Sequence, residues 1–239
     1  MPSPVNKASK SRRAPPQSTR ASAHFATLKK TLESGIDLPG VSHTAFGFER
    51  TTFGMRLTPH GPSNTGWVEL AVPCEHFAVT RMELTNQLSL PQQQTPNAAA
   101  ADAMMISLIL EGSGSVSIDG RVSHWHAPSC LIVAAGPEAV PPPHTIVAQR
   151  QRMVIIALPR RFLTEIWKLD SATLPDVLRG LEKGAAGLNL EILPMTPELI
   201  SIASAIMQCN YSGALLDKYL ESKAGSRSEE RRVGKECRS

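Results

Sequence analysis

A chain of 239 residues, 41% of them hydrophobic, is long enough to bury one sizeable core, and it holds no apolar run near the roughly 18 to 20 residues that span a bilayer. Its net charge of +4 resides at the ends: residues 1–30 hold seven basic and no acidic groups, residues 227–239 hold five basic and three acidic, and 13 basic and 18 acidic groups remain between them. An acidic body without an obvious basic face argues against nucleic-acid binding by the folded part, because phosphate recognition needs clustered cations.

Residues 1–35 are rich in Pro, Ser, Lys and Arg and cannot bury enough apolar surface to offset the entropy of ordering. A flexible basic arm is expected there, with a short helix from His24 to Glu33. No apolar segment follows the basic residues, so an export signal is not indicated and the chain reads as cytoplasmic.

Residues 36–160 read as an antiparallel β-barrel. Ala78, Thr80, Met82 and Leu84 alternate with Phe77, Val79 and Arg81, while Met104, Ile106, Leu108 and Leu110 share one face of a later run. Between those runs, the polar stretch Pro91 to Asn97 and the alanines Ala98 to Ala101 read as an exposed insertion. Glu111-Gly112-Ser113-Gly114 reads as a turn, and Asp119-Gly120 as a tight hairpin turn, because primed turns need residues that accept positive φ. Further strands are expected at Arg121 to Trp125, Cys130 to Ala134, His144 to Gln149 and Arg152 to Leu158. Many short strands with turns between them favour a barrel or jelly roll over a parallel sheet. Cys74, Cys130 and Cys209 are widely spaced, lack a CxxC pair and read as reduced structural thiols; the fourth cysteine, Cys237, falls in the charged tail.

Residues 161–226 read as helical. Phe162, Leu163, Ile166 and Trp167 mark a short amphipathic helix, and Leu174 to Leu181 a second. Thr196 is then an N-cap, with Pro197 at the first helical position and Glu198 in the first turn. Leu199, Ile202, Ala203 and Ile206 line one face of that helix. Asn210 to Ser212 break it, and Ser212 can cap a second helix in which Leu216, Leu220 and Ala224 fall on one stripe. The apolar stripe of this hairpin needs a cover, which either the barrel or a second copy of the hairpin could supply. Fraying is expected from about Tyr219 onward.

The run Gln208-Cys209-Asn210-Tyr211-Ser212-Gly213-Ala214-Leu215-Leu216-Asp217-Lys218-Tyr219-Leu220-Glu221-Ser222-Lys223-Ala224 resembles the end of the sensor half of AraC-type transcriptional regulators. It is most similar to the subgroup that includes pyochelin-responsive activators. That resemblance implies an α+β fold, a cupin-like antiparallel β-barrel or jelly roll followed by a C-terminal α-helical hairpin. It also implies that the barrel binds a small-molecule effector, that the helices support a homodimer, and that neither catalysis nor a cofactor is involved. DNA would be reached through a helix-turn-helix domain that in the family follows this hairpin; it is absent from this chain. The tail, residues 227–239, resembles a translated sequencing adapter and is expected to be foreign.

The effector would sit in the barrel interior, with Trp67, Met82, Met104, Ile106, Leu108, Trp125 and His144 as candidate lining residues. Leu199, Ile202, Ile206, Leu216 and Leu220 are the candidate dimerisation residues. A different reading starts from His124-Trp125-His126: two histidines at i and i+2 on a strand share a face and could bind a metal with His144, as in a cupin-type metalloenzyme. Metal-binding cupins place an acid four or five residues after such a pair, and those positions here are Cys130 and Leu131, so no metal is assigned. Gly112-Ser113-Gly114 is explained by turn geometry, since no helix start follows it. Arg150, Arg152, Arg160 and Arg161 flank a strand and a helix start and could hold an acidic effector or solvate those ends.

Overall fold

Alternating side chains build strands, and the strands build two sheets. The computed structural model describes residues 29–30, 46–61, 64–74, 77–86, 90–92, 103–118, 120–135, 144–146, 149–159 and 188–223. Among them the strands are β1 (Phe46–Arg50), β2 (Met55–Pro59), β3 (Asn64–Cys74), β4 (Phe77–Asn86), β5 (Leu90–Gln92), β6 (Ala103–Glu111), β7 (Ser113–Ile118), β8 (Arg121–His126), β9 (Ser129–Ala135), β10 (His144–Ile146), β11 (Arg150–Pro159) and β12 (Leu188–Pro194). They form an eight-stranded sheet, β1-β2-β3-β4-β11-β6-β9-β12, and a four-stranded sheet, β5-β10-β7-β8. The antiparallel pairing and the jelly-roll layout agree with the expected fold class, an antiparallel barrel closed by a helical hairpin.

The turn read at Asp119-Gly120 joins β7 to β8, with Ile118 opposite Arg121 and Gly120 at a φ of 77°. The turn read over Glu111 to Gly114 is shorter than expected: Gly112 alone separates β6 from β7, and it carries the chain from the large sheet to the small one. Pro91 and Gln92, expected in an exposed insertion, belong to β5, which pairs antiparallel with β10. A proline is tolerated there because β5 is the edge of its sheet. The strand expected over His144 to Gln149 ends at Ile146, and Gln149 instead uses its side chain, donating from Nε2 to Ser113 Oγ at 2.7 Å.

Two departures concern the flanks. Residues 188–194, inside the stretch read as helical but between its named helices, form β12, where Leu190 and Ile192 alternate against β9. Within the arm, residues 29–30 are helical and Lys29 Nζ donates to Pro73 O at 2.9 Å. The helices read over Phe162 to Trp167 and Leu174 to Leu181, and the rest of the His24 to Glu33 helix, lie outside the described residues. Among the described residues no helix is long and apolar enough to cross a membrane, and Cys74, Cys130 and Cys209 form no disulfide.

Helix α1 (Pro197–Met207) starts as read, with Thr196 Oγ1 accepting from Leu199 N at 3.4 Å, Pro197 at the first position and Glu198 in the first turn. Helix α2 covers residues 213–223. The pair covers one face of the large sheet. Ala203, Ile206, Met207, Leu216 and Leu220 join Phe77, Val79, Met104, Leu108, Val154 and Leu158 in a single cluster. The cover of the hairpin stripe is thus its own barrel. Among the five candidate dimerisation residues, Ile206, Leu216 and Leu220 are buried in that cluster, and Leu199 and Ile202 pack against it.

Helix α2 runs past Tyr219, where fraying is expected, to residue 223. Leu220 is buried, and the Tyr219 ring meets Tyr211 edge-on with centroids 5.1 Å apart. Burial pushes the Tyr219 hydroxyl above the ordinary phenol value, with Cys209 and Tyr211 adding to the effect. A pKa raised in the folded state contributes stability that is complete below the unfolded value of about 10 and is lost as pH rises through the folded one. With Tyr211→Phe leaving one tyrosine of the chain's two, phenolate absorbance is expected to give a midpoint above that of a free tyrosine. A midpoint at the free value would mean that Tyr219 is not held against the hairpin.

Candidate functional site

Successive residues of a strand face opposite ways, and both faces of the large sheet are covered. One face meets the hairpin. The other meets the small sheet, and between the two sheets lies a second cluster of Met82, Leu84, Ile109, Val116, Trp125, Leu131 and Met153.

The seven candidate lining residues divide between these faces. Met82 and Trp125 lie between the sheets, and position 144 shares the register row of Val116, an interior residue. Met104 and Leu108 lie beneath the helices, where Trp67 and Ile106 pack as well. Met104, Ile106 and Leu108 do share a face, as their spacing predicts, but it is the face turned to the hairpin. Spacing could not reveal this, since the other face of β6 buries Ile109 just as deeply.

The interior also contains a residue that sequence reasoning passed over. Gln151 follows Arg150 and precedes Arg152, yet it is 0% exposed, and neither its amide nitrogen nor its amide oxygen has a hydrogen-bond partner among the described residues. It lies opposite Leu84 and alternates with Met153, both interior residues. Ser129 is nearly as buried, its Oγ is likewise unpartnered, and it lies opposite Ile109 on the same face. The signal was available: a polar residue holds the place in the series Gln151, Met153, Ile155 where alternation asks for an apolar one.

The histidine pair behaves differently. His124 and His126 are exposed on β8, opposite Ser115 and Ser113, while Trp125 between them is buried. Position 144 on β10 lies opposite Val116, in the alternate row. Adjacent rows point to opposite faces of a sheet, so the register does not bring the three histidine positions to one face. The alternative metalloenzyme reading, for which no metal is assigned, gains no support from this register.

A second polar construction runs across the hairpin-facing side of the large sheet. Register aligns Glu49, Arg56, Glu69 and Arg81 on four neighbouring strands, β1 to β4, as a ladder of alternating charge. Its outer rung is loose, with Arg56 Nη1 3.5 Å from an exposed Glu49. Its inner rungs are tight. Arg56 Nη2 lies 2.9 Å from Glu69 Oε1, and Arg81 Nη2 lies 2.7 Å from Glu69 Oε2. Glu69 is 0% exposed and Arg81 6%, so both charges of this pair are buried.

Arg81 then reaches out of the sheet. Its Nη1 donates to the carbonyl oxygens of Ile206, Met207 and Cys209 at 3.0, 3.0 and 2.8 Å, where α1 ends. The last carbonyls of a helix lack partners within the helix and carry the negative end of its dipole, so a buried guanidinium answers both needs. The group lies 4.0 Å from the Phe53 ring centroid, a cation–π distance. One arginine therefore ties strand β4 to the turn between the helices.

Two of the four arginines considered for an acidic ligand, Arg150 and Arg152, are already engaged. Arg150 Nη2 is 2.6 Å from Glu83 Oε1, and Arg152 Nε is 3.6 Å from Glu83 Oε2. The hydrogen bond to Glu83 and the nearby carboxylates of Glu83 and Glu111 raise the Arg150 pKa further. Arg160 and Arg161 lie outside the described residues.

Residues 75–225 match the family described as the regulatory protein PchR N-terminal domain. No curated protein matches the chain. Among solved structures, an apo ToxT variant from Vibrio cholerae is similar at 11% identity and a TM-score of 0.42, covering 72% of this chain and 58% of its own. The EutQ protein of Clostridium difficile is similar at 14% identity and a TM-score of 0.30, over 41% of this chain and 71% of its own. A cupin superfamily protein from Desulfitobacterium hafniense is similar at 13% identity and a TM-score of 0.32, over 42% and 83%. Since the family match spans strands β4 to β12 and both helices, well over half of the sequence, the chain belongs to the PchR N-terminal domain family, the regulatory region of AraC-type regulators.

Proposed function

We propose that this region senses a small-molecule effector between its two sheets and passes its occupancy to the helical hairpin, which supports a homodimer and conveys the signal to a DNA-binding half. The reading assigns it no catalytic role and a place in the cytoplasm. The observation that carries it is the double use of β4. Met82 and Leu84 face the interior, while Val79 and Arg81, on the same strand, face the helices. A ligand that displaces Met82 shifts the strand from which Arg81 grips α1, and a shift of this kind biases two states only through their differential affinity for the ligand.

A small molecule found by thermal-shift screening is expected to slow hydrogen exchange in β4 and in residues 197–223 together. Protection of the strands with no change in the helices would separate binding from transmission and sink the coupling. The dimer half of the proposal has its own test. Because the hairpin stripe is spent on the barrel, association would use the outward residues Tyr211 and Leu215, which are 46% and 61% exposed. Leu215→Asp is expected to shift the sedimentation equilibrium toward monomer, and an unchanged dimer would remove this surface from the interface.

A further inference from the structure

Polar atoms inside a protein are nearly always hydrogen-bonded, and those that are not call for an explanation. Among the described residues Gln151 has both amide atoms unpartnered and is fully buried, and the buried Ser129 on the same sheet face has an unpartnered hydroxyl. We propose that Gln151, assisted by Ser129, is the recognition point of the effector site, and that the buried part of the effector is uncharged, largely apolar and carries one neutral group that both donates and accepts a hydrogen bond, such as a carboxamide or a phenol. This rests on the effector reading above and adds to it the chemistry of the ligand.

Three features lead there. The first is demand: a primary amide offers two donors and an accepting oxygen, none of which finds a partner among the described residues, while Gln151 lies in register with Leu84 and on the strand face of Met153, both interior residues. The second is room made for the side chain. A Cβ at Gly112 would come within 3.0 Å of Gln151 Cγ, so the missing side chain at the crossing between sheets is what lets Gln151 lie there. The third is charge. Flanking Arg150 and Arg152 pair with Glu83 and Glu111 on the other face, and the interior residues in register with Gln151 and Ser129 are Leu84 and Ile109, both apolar. An ionised ligand group would find no counter-charge in these neighbours, and burying an unpaired charge is strongly disfavoured. Met82 and Met153 supply walls that can reshape, since the thioether chain is unbranched and adaptable.

The test uses the full chain and three probes of one size, benzamide, benzoate and toluene, titrated by NMR with the Gln151 side-chain amide, the Trp125 indole and the Met82 methyl as reporters. Benzamide is expected to shift all three signals and to bind about tenfold more tightly than benzoate or toluene, because a site with unpaired polar groups rejects the analogue that cannot pair them. In Gln151→Leu, an apolar replacement of similar size, that preference is expected to vanish and toluene to bind at least as well as benzamide. Equal binding of the three probes, with Trp125 and Met82 shifted but Gln151 silent, overturns the recognition role and leaves the effector site standing. No interior shift from any probe overturns both. Should Gln151→Leu fail to fold, the ranking of the probes on the wild-type chain decides by itself.

Discussion

Arg81→Met is expected to lower the stability of the chain by about 3–5 kcal/mol, the cost of leaving one member of a buried ion pair without the other. The variant strands Glu69, which is 0% exposed, and withdraws the donor from three carbonyl oxygens at the end of α1. Urea unfolding would read the first effect as a lower midpoint, and hydrogen exchange in residues 197–223 would read the second. Arg56 still holds Glu69 from the other side at 2.9 Å, but that guanidinium is partly exposed and does not reach the helix. The double variant Arg81→Met with Glu69→Leu is expected to recover part of the loss, because no buried charge is then left unpaired. A single variant within about 1 kcal/mol of wild type, the range of exposed ion pairs, would show that the ladder is not what fastens the helices to the sheet.

Gly66→Ala is the other change expected to be severe. Gly66 sits in the middle of β3 at a φ of 118°, a region that side chains other than hydrogen rarely enter. A Cβ there would fall 2.0 Å from Glu83 O and 2.9 Å from Leu84 Cα, both backbone atoms of the paired strand that no rotamer change can move aside. Strain and overpacking together are expected to cost about 3–5 kcal/mol and to loosen the β3–β4 pairing beyond it, from Asn64 opposite Asn86. Gly61→Ala is the matched control, since its φ is 110° but nothing lies within 4 Å of the added carbon. That variant should lose only the strain, about 1–2 kcal/mol. Equal urea midpoints for the two would show that β3 yields at residue 66 and that the close approach is not a constraint.

The elements were legible where chemistry is local. Thr196-Pro197-Glu198 announces a helix because a cap, a proline and a first-turn acid all act within four residues, and α1 begins there. Asp119-Gly120 likewise predicts the turn that closes β7 on β8. What could not be read is which side of a two-faced strand meets which partner. Met82 and Met104 were grouped as neighbours, yet one lies between the sheets and the other under the helices, because this sheet is covered on both sides and periodicity names a face without naming its cover. Arg81 was hidden for a related reason. Its partners are 12 residues away in Glu69 and 125 or more in the α1 turn, and a charged residue inside a strand gives no hint of either. The clue lay in mismatch: Arg81 continues the row of Phe77 and Val79, just as Gln151 continues that of Met153. The conspicuous histidines of β8 draw the eye in the sequence, whereas these quieter breaks in the pattern do not.

Because neighbouring residues of β4 look in opposite directions, Met82 and Leu84 can be varied while Val79 and Arg81 go untouched. On the effector reading proposed above, a biosensor engineer would have a receptor whose taste and whose output wiring mutate independently, within one stretch of ten residues.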